Sequence, residues 1–313
     1  MSQAEQKARL IEKLKRELGP VVLSALADPS VVEVMLNGDG SIWLDVVGKG
    51  MINTGSTLPA QQSMSAMATI ASMLETVVTS DKPILEGELP LDGSRFEGLI
   101  PPNVPSPVFA IRKKALLVYT LDNYVASNIM TEAQALAIRE AVRNRENVLI
   151  VGGTGTGKTT LANAILAEIA DSDDRIILIE DTVELQCRAK NRVELRTSES
   201  ADMIRLLRAT MRMRPDRIVV GEVRGAEALA LLKAWNTGHP GGCATVHANS
   251  AEAGLVRLEQ LIQEANVPPQ PALIAEAVNV IVSIKRTVEG RRIEQVCRVA
   301  GYTARSGYKL VDI

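Results

Sequence analysis

Four short apolar runs in the second half of the chain constrain its fold more than any other feature. They read NVLIV, DRIILIE, DRIVVGE and GGCATVH, and none of them alternates apolar with polar residues. Strands have this continuous pattern when helices cover both faces of a parallel sheet. Residues 131–313, which open on a helix capped by Thr131, are therefore predicted to form an α/β domain with a mostly parallel sheet covered by helices.

The first part of the chain has a different pattern. The stretch VVEVMLNGDGSIWLDVVGKG alternates around a turn near residues 37–40, and an apolar helix is predicted near residues 64–78. Because a chain of 313 residues exceeds the usual span of one hydrophobic core, two domains are expected. We place a small α+β domain at residues 1–118 and a linker at residues 119–130.

An amphipathic helix is predicted near the start of the chain, with apolar residues at helical spacing between residues 4 and 18 and basic residues among them. Two roles fit this pattern. The helix packs on its own domain with a solvated charged face, or it docks on a membrane surface or a partner. Both roles stay open at the level of sequence.

Composition excludes several classes of protein. Aromatic residues make up only 3% of the chain and the net charge is −2, so no direct nucleic-acid binding is expected. The three cysteines are too far apart in sequence to indicate a zinc knuckle or a disulfide framework. The N-terminus lacks the apolar core of a secretory leader, and no stretch approaches the roughly 20 apolar residues that cross a bilayer. We therefore expect a cytoplasmic protein.

A glycine-rich segment follows the first of the four apolar runs. Gly152, Gly157, Lys158 and Thr159 satisfy the pattern G-x-x-x-x-G-K-[ST], between a predicted strand and a predicted helix. In such a loop the backbone N–H groups surround phosphates, the lysine reaches the β and γ oxygens, and the threonine hydroxyl suits Mg²⁺. The segment is predicted to bind the phosphates of a nucleotide.

Each later run ends in a polar side chain: Glu180 and Asp181, then Glu222, then His247. Ligands of open parallel sheets lie beyond the carboxyl ends of the strands, so these residues are expected to gather near the phosphates. Phosphoryl transfer to water uses Mg²⁺ and a carboxylate that orients or deprotonates the water. The alternative roles are helix capping or salt bridging for the acids and a core position for the histidine.

Arginines recur at two other places. Arg95 and Arg112 flank a proline-rich loop in the first domain, and surface solvation is the alternative to a functional role for both. A second group, after residue 202, either forms a solvated face or contacts a neighbouring subunit or its nucleotide; it contains Arg205, Arg208, Arg212 and Arg214.

Four segments together resemble the motifs of one family. GGTGTGKTT, IEDTVEL, MRMRPDRIVVGEVRGAEA and TGHPGGCATVHANS are similar, in order, to the Walker A, acidic, Walker B and histidine boxes of the secretion ATPase superfamily. The likeness is closest to the branch that serves conjugation and type IV secretion. It implies a regulatory N-terminal domain and a RecA-like P-loop NTPase domain, which assemble as a hexameric ring that uses ATP and Mg²⁺.

The resemblance also implies roles for individual residues. The catalytic residues would be Lys158, Glu180, Glu222 and His247, and the metal would lie near Thr159, Glu180 and Glu222. The residues expected to bind the nucleotide are Gly152, Gly153, Thr154, Gly155, Thr156, Gly157, Lys158, Thr159 and Thr160, together with Arg95 and Arg112 from the N-terminal domain.

Two departures from the family pattern stand out. Gly221 occupies the place where many nucleoside triphosphatases have the Walker B aspartate, so Mg²⁺ would depend on Thr159 and water, and either Glu180 or Glu222 would act as the base. The four-cysteine zinc element of many type II secretion members is missing, which favours the conjugation branch.

The function implied is an ATP-hydrolysing ring motor at the cytoplasmic face of an inner-membrane transfer channel, with the channel proteins as partners and with peripheral membrane association. It would power pilus assembly or substrate passage. The alternatives are a pilus extension or retraction ATPase, a nucleotide-gated scaffold with little hydrolysis, and a nucleic-acid translocase.

Overall fold

The computed structural model describes residues 3–114, 118–198, 200–287 and 289–313. The chain divides into two compact units, Met1–Leu116 and Leu117–Ile313. The point of division lies among residues 115–117, outside the described residues.

The first unit is an antiparallel sheet with two helices on one face. The sheet has the order β3-β2-β1-β6-β5-β4, and alternate strand residues such as Val34, Phe96 and Ile111 pack with the helices in one core. Its elements are α1 (Gln3–Ala27), β1 (Val31–Leu36), β2 (Ser41–Val46), β3 (Gly50–Thr57), α2 (Ala60–Met73), β4 (Ile84–Glu88), β5 (Arg95–Leu99) and β6 (Val108–Arg112).

Helix α1 packs on its own unit through its later turns. Leu14 and Leu18 are fully or almost fully buried in the core of the first unit. Most of the residues before Leu14 are exposed. Gly19, with φ of 76°, and Pro20 kink the helix just after Leu18.

The second unit is an eight-stranded sheet with helices on both faces. The order is β14-β13-β12-β7-β11-β10-β8-β9; the strands from β12 to β9 are parallel, and β13 and β14 add antiparallel at one edge. Its elements are α3 (Leu121–Ala126), α4 (Glu132–Arg143), β7 (Val148–Gly152), α5 (Lys158–Ile169), β8 (Ile176–Glu180), β9 (Arg192–Arg196), α6 (Met203–Thr210), β10 (Arg217–Val220), α7 (Glu227–Asn236), β11 (Cys243–His247), α8 (Ala251–Gln263), α9 (Pro271–Ala277), β12 (Val280–Thr287), β13 (Gly290–Thr303) and β14 (Gly307–Asp312).

Two separate cores account for the continuous apolar runs. Val148 and Ile150 of β7 pack with α3, α4 and α5, whereas Leu149 and Val151 of the same strand pack with the helices of the opposite face. Successive strand residues point to opposite faces, so a strand covered on both sides must be apolar throughout. The fold class predicted from the sequence is confirmed: a mixed α/β chain with an antiparallel N-terminal unit and a mostly parallel sheet in the second.

The structure differs from the sequence prediction at residues 119–130. This segment, predicted as a linker, contains helix α3, which Thr120 caps in a reciprocal pair of hydrogen bonds with Asn123. Leu121 and Tyr124 are buried in the core of the second unit. The helix has only six residues, too few for an apolar repeat to be recognised in the sequence.

Within the described ranges, none of the helices combines the length and the apolar character that a membrane crossing requires.

Candidate nucleotide-binding site

The glycine-rich loop joins the buried strand β7 to the N-terminus of α5. Gly155 and Gly157 have φ angles of 70° and 97°, a left-handed backbone that favours glycine. Thr156 closes the loop by donating its hydroxyl hydrogen to the carbonyl oxygen of Gly153 at 2.9 Å. Gly152 has no room for a side chain, because a Cβ there would lie 2.6 Å from the carbonyl oxygen of Ile284 on β12. The loop is therefore shaped by its own glycines and by the neighbouring strand.

The side chain of Lys158 connects the loop to the end of the adjacent strand. Lys158 is 7% exposed, and its Nζ donates to the carbonyl oxygen of Gly153 at 3.0 Å. The same Nζ lies 3.3 Å from both ring nitrogens of His247, the last residue of β11. The register of the sheet accounts for this contact, since His247 is paired with Gly152 at the end of β7.

His247 in turn contacts the glutamate that follows β10. Its Nε2 lies 2.6 Å from Glu222 Oε1, and the other carboxylate oxygen of Glu222 accepts a hydrogen bond of 2.6 Å from Arg224 Nη2. Arg224 Nη1 also lies 3.8 Å from Asp181, just after β8. The ends of β7, β11, β10 and β8 thus carry one connected set of charged groups. The sequence prediction included all of these positions except Arg224, which stands two residues after Glu222 in the Walker B segment.

Glu180 occupies a buried position at the end of β8. The residue is 5% exposed, and its Oε1 accepts hydrogen bonds from the backbone N–H groups of Glu184 at 3.0 Å and Leu185 at 2.9 Å. Burial raises the pKa of Glu180 from 4.5 to about 7, although the two N–H groups oppose the shift. Glu180 can therefore exchange a proton near neutral pH.

Asn163 on α5 fixes the segment that holds Glu180. Its Nδ2 donates to the carbonyl oxygen of Glu184 at 3.2 Å, and its Oδ1 accepts from the N–H of Gln186 at 2.8 Å. Asn163 is 2% exposed. The helix that begins at the glycine-rich loop thus also positions the backbone that binds Glu180. The sequence prediction missed Asn163, which lies in an apolar stretch of α5 without a motif of its own.

The position of Glu180 explains the glycine in the Walker B segment. A Cβ on Gly221 would lie 3.0 Å from Glu180 Cγ and 3.1 Å from Glu180 Oε1. The two residues meet because β8 and β10 are neighbours, and the N–H of Gly221 donates to the carbonyl oxygen of Ile179 at 3.0 Å. The glutamate carboxylate takes the space that an aspartate side chain at position 221 would need.

The remaining predicted arginines belong to two groups, one in each unit. Arg95 and Arg112 are paired directly across β5 and β6 in the first unit, and both are partly exposed. Of the arginines after residue 202, Arg205 donates to the carbonyl oxygen of Ser200 at 2.6 Å. The other three, Arg208, Arg212 and Arg214, are exposed.

The residues around the loop fit a magnesium ion that is bound mainly by phosphate and water. Over the part of the chain that the structure describes, no group of three or more His, Cys, Asp or Glu side chains could hold a metal by itself. Magnesium usually keeps several waters and takes one or two protein ligands beside substrate phosphates. Thr159, in the first turn of α5 and half-buried, supplies a hydroxyl of the required kind.

A glycine-rich loop between a buried parallel strand and a helix N-terminus, with a lysine as the first helical residue, defines a P-loop nucleotide-binding fold. The chain belongs to the family described as type II/IV secretion system protein, which matches residues 17–305. Membership of this family supports nucleotide binding and ATPase activity. The resemblance inferred from the four sequence motifs is confirmed.

Individual relatives place the chain within this family. It is 51% identical over 304 residues to the conjugal transfer protein TrbB of Rhizobium radiobacter, with 96% of this chain and 94% of the relative covered. It is 27% identical to the type IV secretion system protein VirB11 of Bartonella quintana, with 90% and 93% covered.

Solved structures show the same architecture. The VirB11 ATPase from the Brucella suis type IV secretion system, in complex with sulphate, is 26% identical, with a TM-score of 0.50 and with 94% of this chain and 96% of that chain covered. The pilus retraction motor PilT with bound ADP has a TM-score of 0.65 at 19% identity, with 91% and 83% covered. The likeness to PilT concerns the fold alone.

Proposed function

We propose that this chain hydrolyses ATP with Mg²⁺ and drives conjugative transfer through a type IV secretion system. The observation that carries the proposal is the contact of His247 with both Lys158 and Glu222 at the end of the P-loop strand. The names of the relatives at 51% and 27% identity, a conjugal transfer protein and a type IV secretion protein, support the process it serves.

The side chains divide the work of hydrolysis. The loop amides and Lys158 bind the β and γ phosphates and stabilise the charge that develops on them. Glu180, with a pKa of about 7, suits the role of the base that takes a proton from the attacking water. Glu222, held by Arg224 and His247, orients that water. Thr159, with Glu180 and Glu222, would hold Mg²⁺ through its waters, and the ion would supply positive charge to neutralise the phosphates.

The first unit supplies a second set of cations. Like charges directly opposite each other on two strands repel, and an anion between them removes the penalty. Arg95 and Arg112 form such a pair. In this proposal residues 1–118 act as a regulatory domain that brings both guanidinium groups to the nucleotide bound by residues 131–313, and hydrolysis releases them.

The assembled form is a hexameric ring at the cytoplasmic face of the inner membrane, in contact with the proteins of the transfer channel. Most residues before Leu14 on α1 are exposed, and they carry the basic side chains that suit a membrane surface or a partner. Size-exclusion chromatography with and without Mg-ATP tests the ring; a monomer under both conditions contradicts it.

The test of hydrolysis is phosphate release by the purified Lys158→Ala variant. We expect loss of turnover, because the variant lacks the charge that stabilises the transferring phosphoryl group. Lys190→Ala is the matched control, since Lys190 is exposed and precedes β9 at the opposite edge of the sheet. Phosphate release by Lys158→Ala at the wild-type rate overturns the site assignment.

A further inference from the structure

The hairpin formed by β12 and β13 carries four cations at the edge of the sheet where the P-loop lies. The last residues of β12 pair with the first residues of β13, so that Arg286 lies opposite Arg291 and Lys285 lies opposite Arg292. We call these four residues the hairpin cations. No motif in the sequence indicates them.

The two cross-strand pairs lie on different faces of the hairpin. Ile284 and Ile293 face each other in the core that includes α3, α4 and α5. Arg286 and Arg291 are two residues further along their strands, and because side chains alternate they point to this same face. Lys285 and Arg292 point to the opposite face, where Lys285 forms a salt bridge with Glu294.

Arg286 and Arg291 form a pair of like charges directly opposite each other. Among the residues that the structure describes, neither arginine forms a salt bridge. Like charges directly opposite each other are destabilising in a sheet, so this pair lowers the stability of the hairpin unless an anion lies beside it.

Arg291 lies directly against the glycine-rich loop. A Cβ placed on Gly157 would lie 3.2 Å from Arg291 Cδ, 3.3 Å from Arg291 Nε and 3.7 Å from Arg291 Cζ. Gly157 is the N-cap of α5. The free N–H groups of a helix N-terminus attract phosphate, and Lys158 adds a full positive charge there.

The sheet fixes this position. β12 pairs with β7 in parallel, with Ser283 opposite Val151. The carbonyl oxygen of Ile284, the next residue of β12, lies close to Gly152. The hairpin therefore extends beyond the sheet on the side of the loop, and its cations are held at the same edge as the phosphate site.

We propose that Arg291 is a further phosphate-binding residue, which donates from its guanidinium group to the phosphate oxygens of the nucleoside triphosphate in the P-loop. The inference rests on the proposed function, because it requires a nucleotide in that loop. A guanidinium group suits this role, since its planar N–H groups match phosphate oxygens in pairs. Arg286, on the same face, strengthens the local positive potential.

The experiment measures the affinity of the full chain for a fluorescent ATP analogue with Mg²⁺ by titration. We expect Arg291→Ala to raise Kd by about tenfold or more, the usual effect of losing a charge-assisted hydrogen bond. Arg291→Lys should give an intermediate Kd, because it keeps the charge without the planar fork. Arg292→Ala, on the opposite face of the hairpin, is the matched control and should stay within about twofold of wild type.

Each result has a definite meaning. Equal affinities for Arg291→Ala and wild type overturn the inference, as does an equal loss in Arg291→Ala and Arg292→Ala, which would indicate a general effect of hairpin charge. A loss of affinity for a single-stranded oligonucleotide in Arg291→Ala, with ATP affinity unchanged, also overturns it. If Arg291→Ala does not fold, Arg291→Gln compared with Arg292→Gln decides the question.

The proposed function fails separately from this inference. If Lys158→Ala releases phosphate at the wild-type rate, the proposed P-loop mechanism is ruled out. Loss of turnover in Lys158→Ala together with wild-type nucleotide affinity in Arg291→Ala keeps the mechanism and removes only the role of Arg291.

Discussion

Glu180 Cγ lies 3.0 Å from the point where a Cβ on Gly221 would stand. The glutamate ends β8 and the glycine follows β10, so the contact joins two neighbouring strands at the carboxyl edge of the sheet. The carboxylate next to position 221 therefore belongs to Glu180 of β8. In a Walker B segment with an aspartate, it would belong to the residue that follows β10. A small residue at 221 and a glutamate at 180 are two parts of one arrangement.

Gly221→Ala should displace Glu180 and impair turnover. The backbone of Gly221 does not require a left-handed conformation, and the three atoms nearest to the new methyl group would all belong to Glu180, so the expected effect comes from that contact. We expect a loss of about 1–3 kcal/mol in the free energy of unfolding, measured by urea denaturation. Gly38→Ala is the control, since its new methyl group would meet only one atom, 3.9 Å away.

A double-variant cycle of Gly221→Ala and Glu180→Ala tests whether the two residues are in direct contact. Glu180→Ala removes the side chain that the new methyl group would meet, so the two losses should not add. Additive losses in Gly221→Ala, Glu180→Ala and the double variant contradict a direct contact.

Asn163→Ala should release the segment that holds Glu180. Hydrogen exchange at the amide of Gln186 should accelerate, because this N–H loses its acceptor, Asn163 Oδ1, and the neighbouring carbonyl oxygen of Glu184 loses its donor, Asn163 Nδ2. We expect kcat to fall by about tenfold or more with little change in nucleotide affinity, since Glu180, the proposed base, would be misplaced and the loop left intact. Asn236→Ala, on the exposed side of α7, is the control, and a loss of nucleotide affinity as large as that in kcat contradicts the prediction.

The buried carboxyl of Glu180 should make stability depend on pH. Its pKa is 4.5 in the unfolded chain and about 7 in the folded protein, so the folded state binds more protons between these values. Stability therefore falls as the pH rises from 4.5 to 7, by roughly 3 kcal/mol from this group alone.

Glu180→Gln removes that dependence, because a glutamine keeps an oxygen for the two N–H groups and carries no charge. Denaturation at pH 8 should show the variant to be more stable than wild type, and the difference should shrink towards pH 4.5. Glu140→Gln, at an exposed position on α4, should show no such difference. If the difference in stability between Glu180→Gln and wild type does not change with pH, the prediction of a buried, titrating carboxyl is contradicted.

The amino edge of the sheet depends on a buried ion pair. Arg217 Nε donates to Asp174 at 2.6 Å, both residues are buried, and Arg145 contacts the second carboxylate oxygen. Asp174→Asn should lower the free energy of unfolding by about 3–5 kcal/mol, since it leaves the guanidinium of Arg217 buried without its charge partner. Denaturation of the exposed control Asp171→Asn should match wild type; an equal loss in both variants contradicts the prediction.

The sequence allowed the strands of the second unit and the P-loop to be predicted because both depend on local patterns. Val148–Gly152 is apolar throughout, and the glycines and Lys158 follow at fixed spacing. Thr131 is predicted to cap a helix, and the structure shows it capping α4 in a reciprocal pair of hydrogen bonds with Gln134, three residues away. Side chains at strand ends could be placed near the loop from topology alone.

The residues that the sequence did not reveal depend on contacts between distant segments. Asn163 acts through a loop more than 20 residues away, and Arg291 reaches the P-loop only because β12 and β13 pair in one particular register. Neither carries a motif. The six residues of α3 were missed because a helix of that length is stabilised by its core contacts rather than by a repeat in its sequence.

Strand β7 lies between β11 and β12, with His247 opposite Gly152 on one side and Ser283 opposite Val151 on the other. A shift of one residue in either pairing would turn alternate side chains to the wrong face and would part the loop from its neighbours. Molecules with such a shift would retain their helices and strands but would not bind nucleotide. The fraction of refolded chains that bind ATP therefore measures the share of molecules in which β7, β11 and β12 have the correct register.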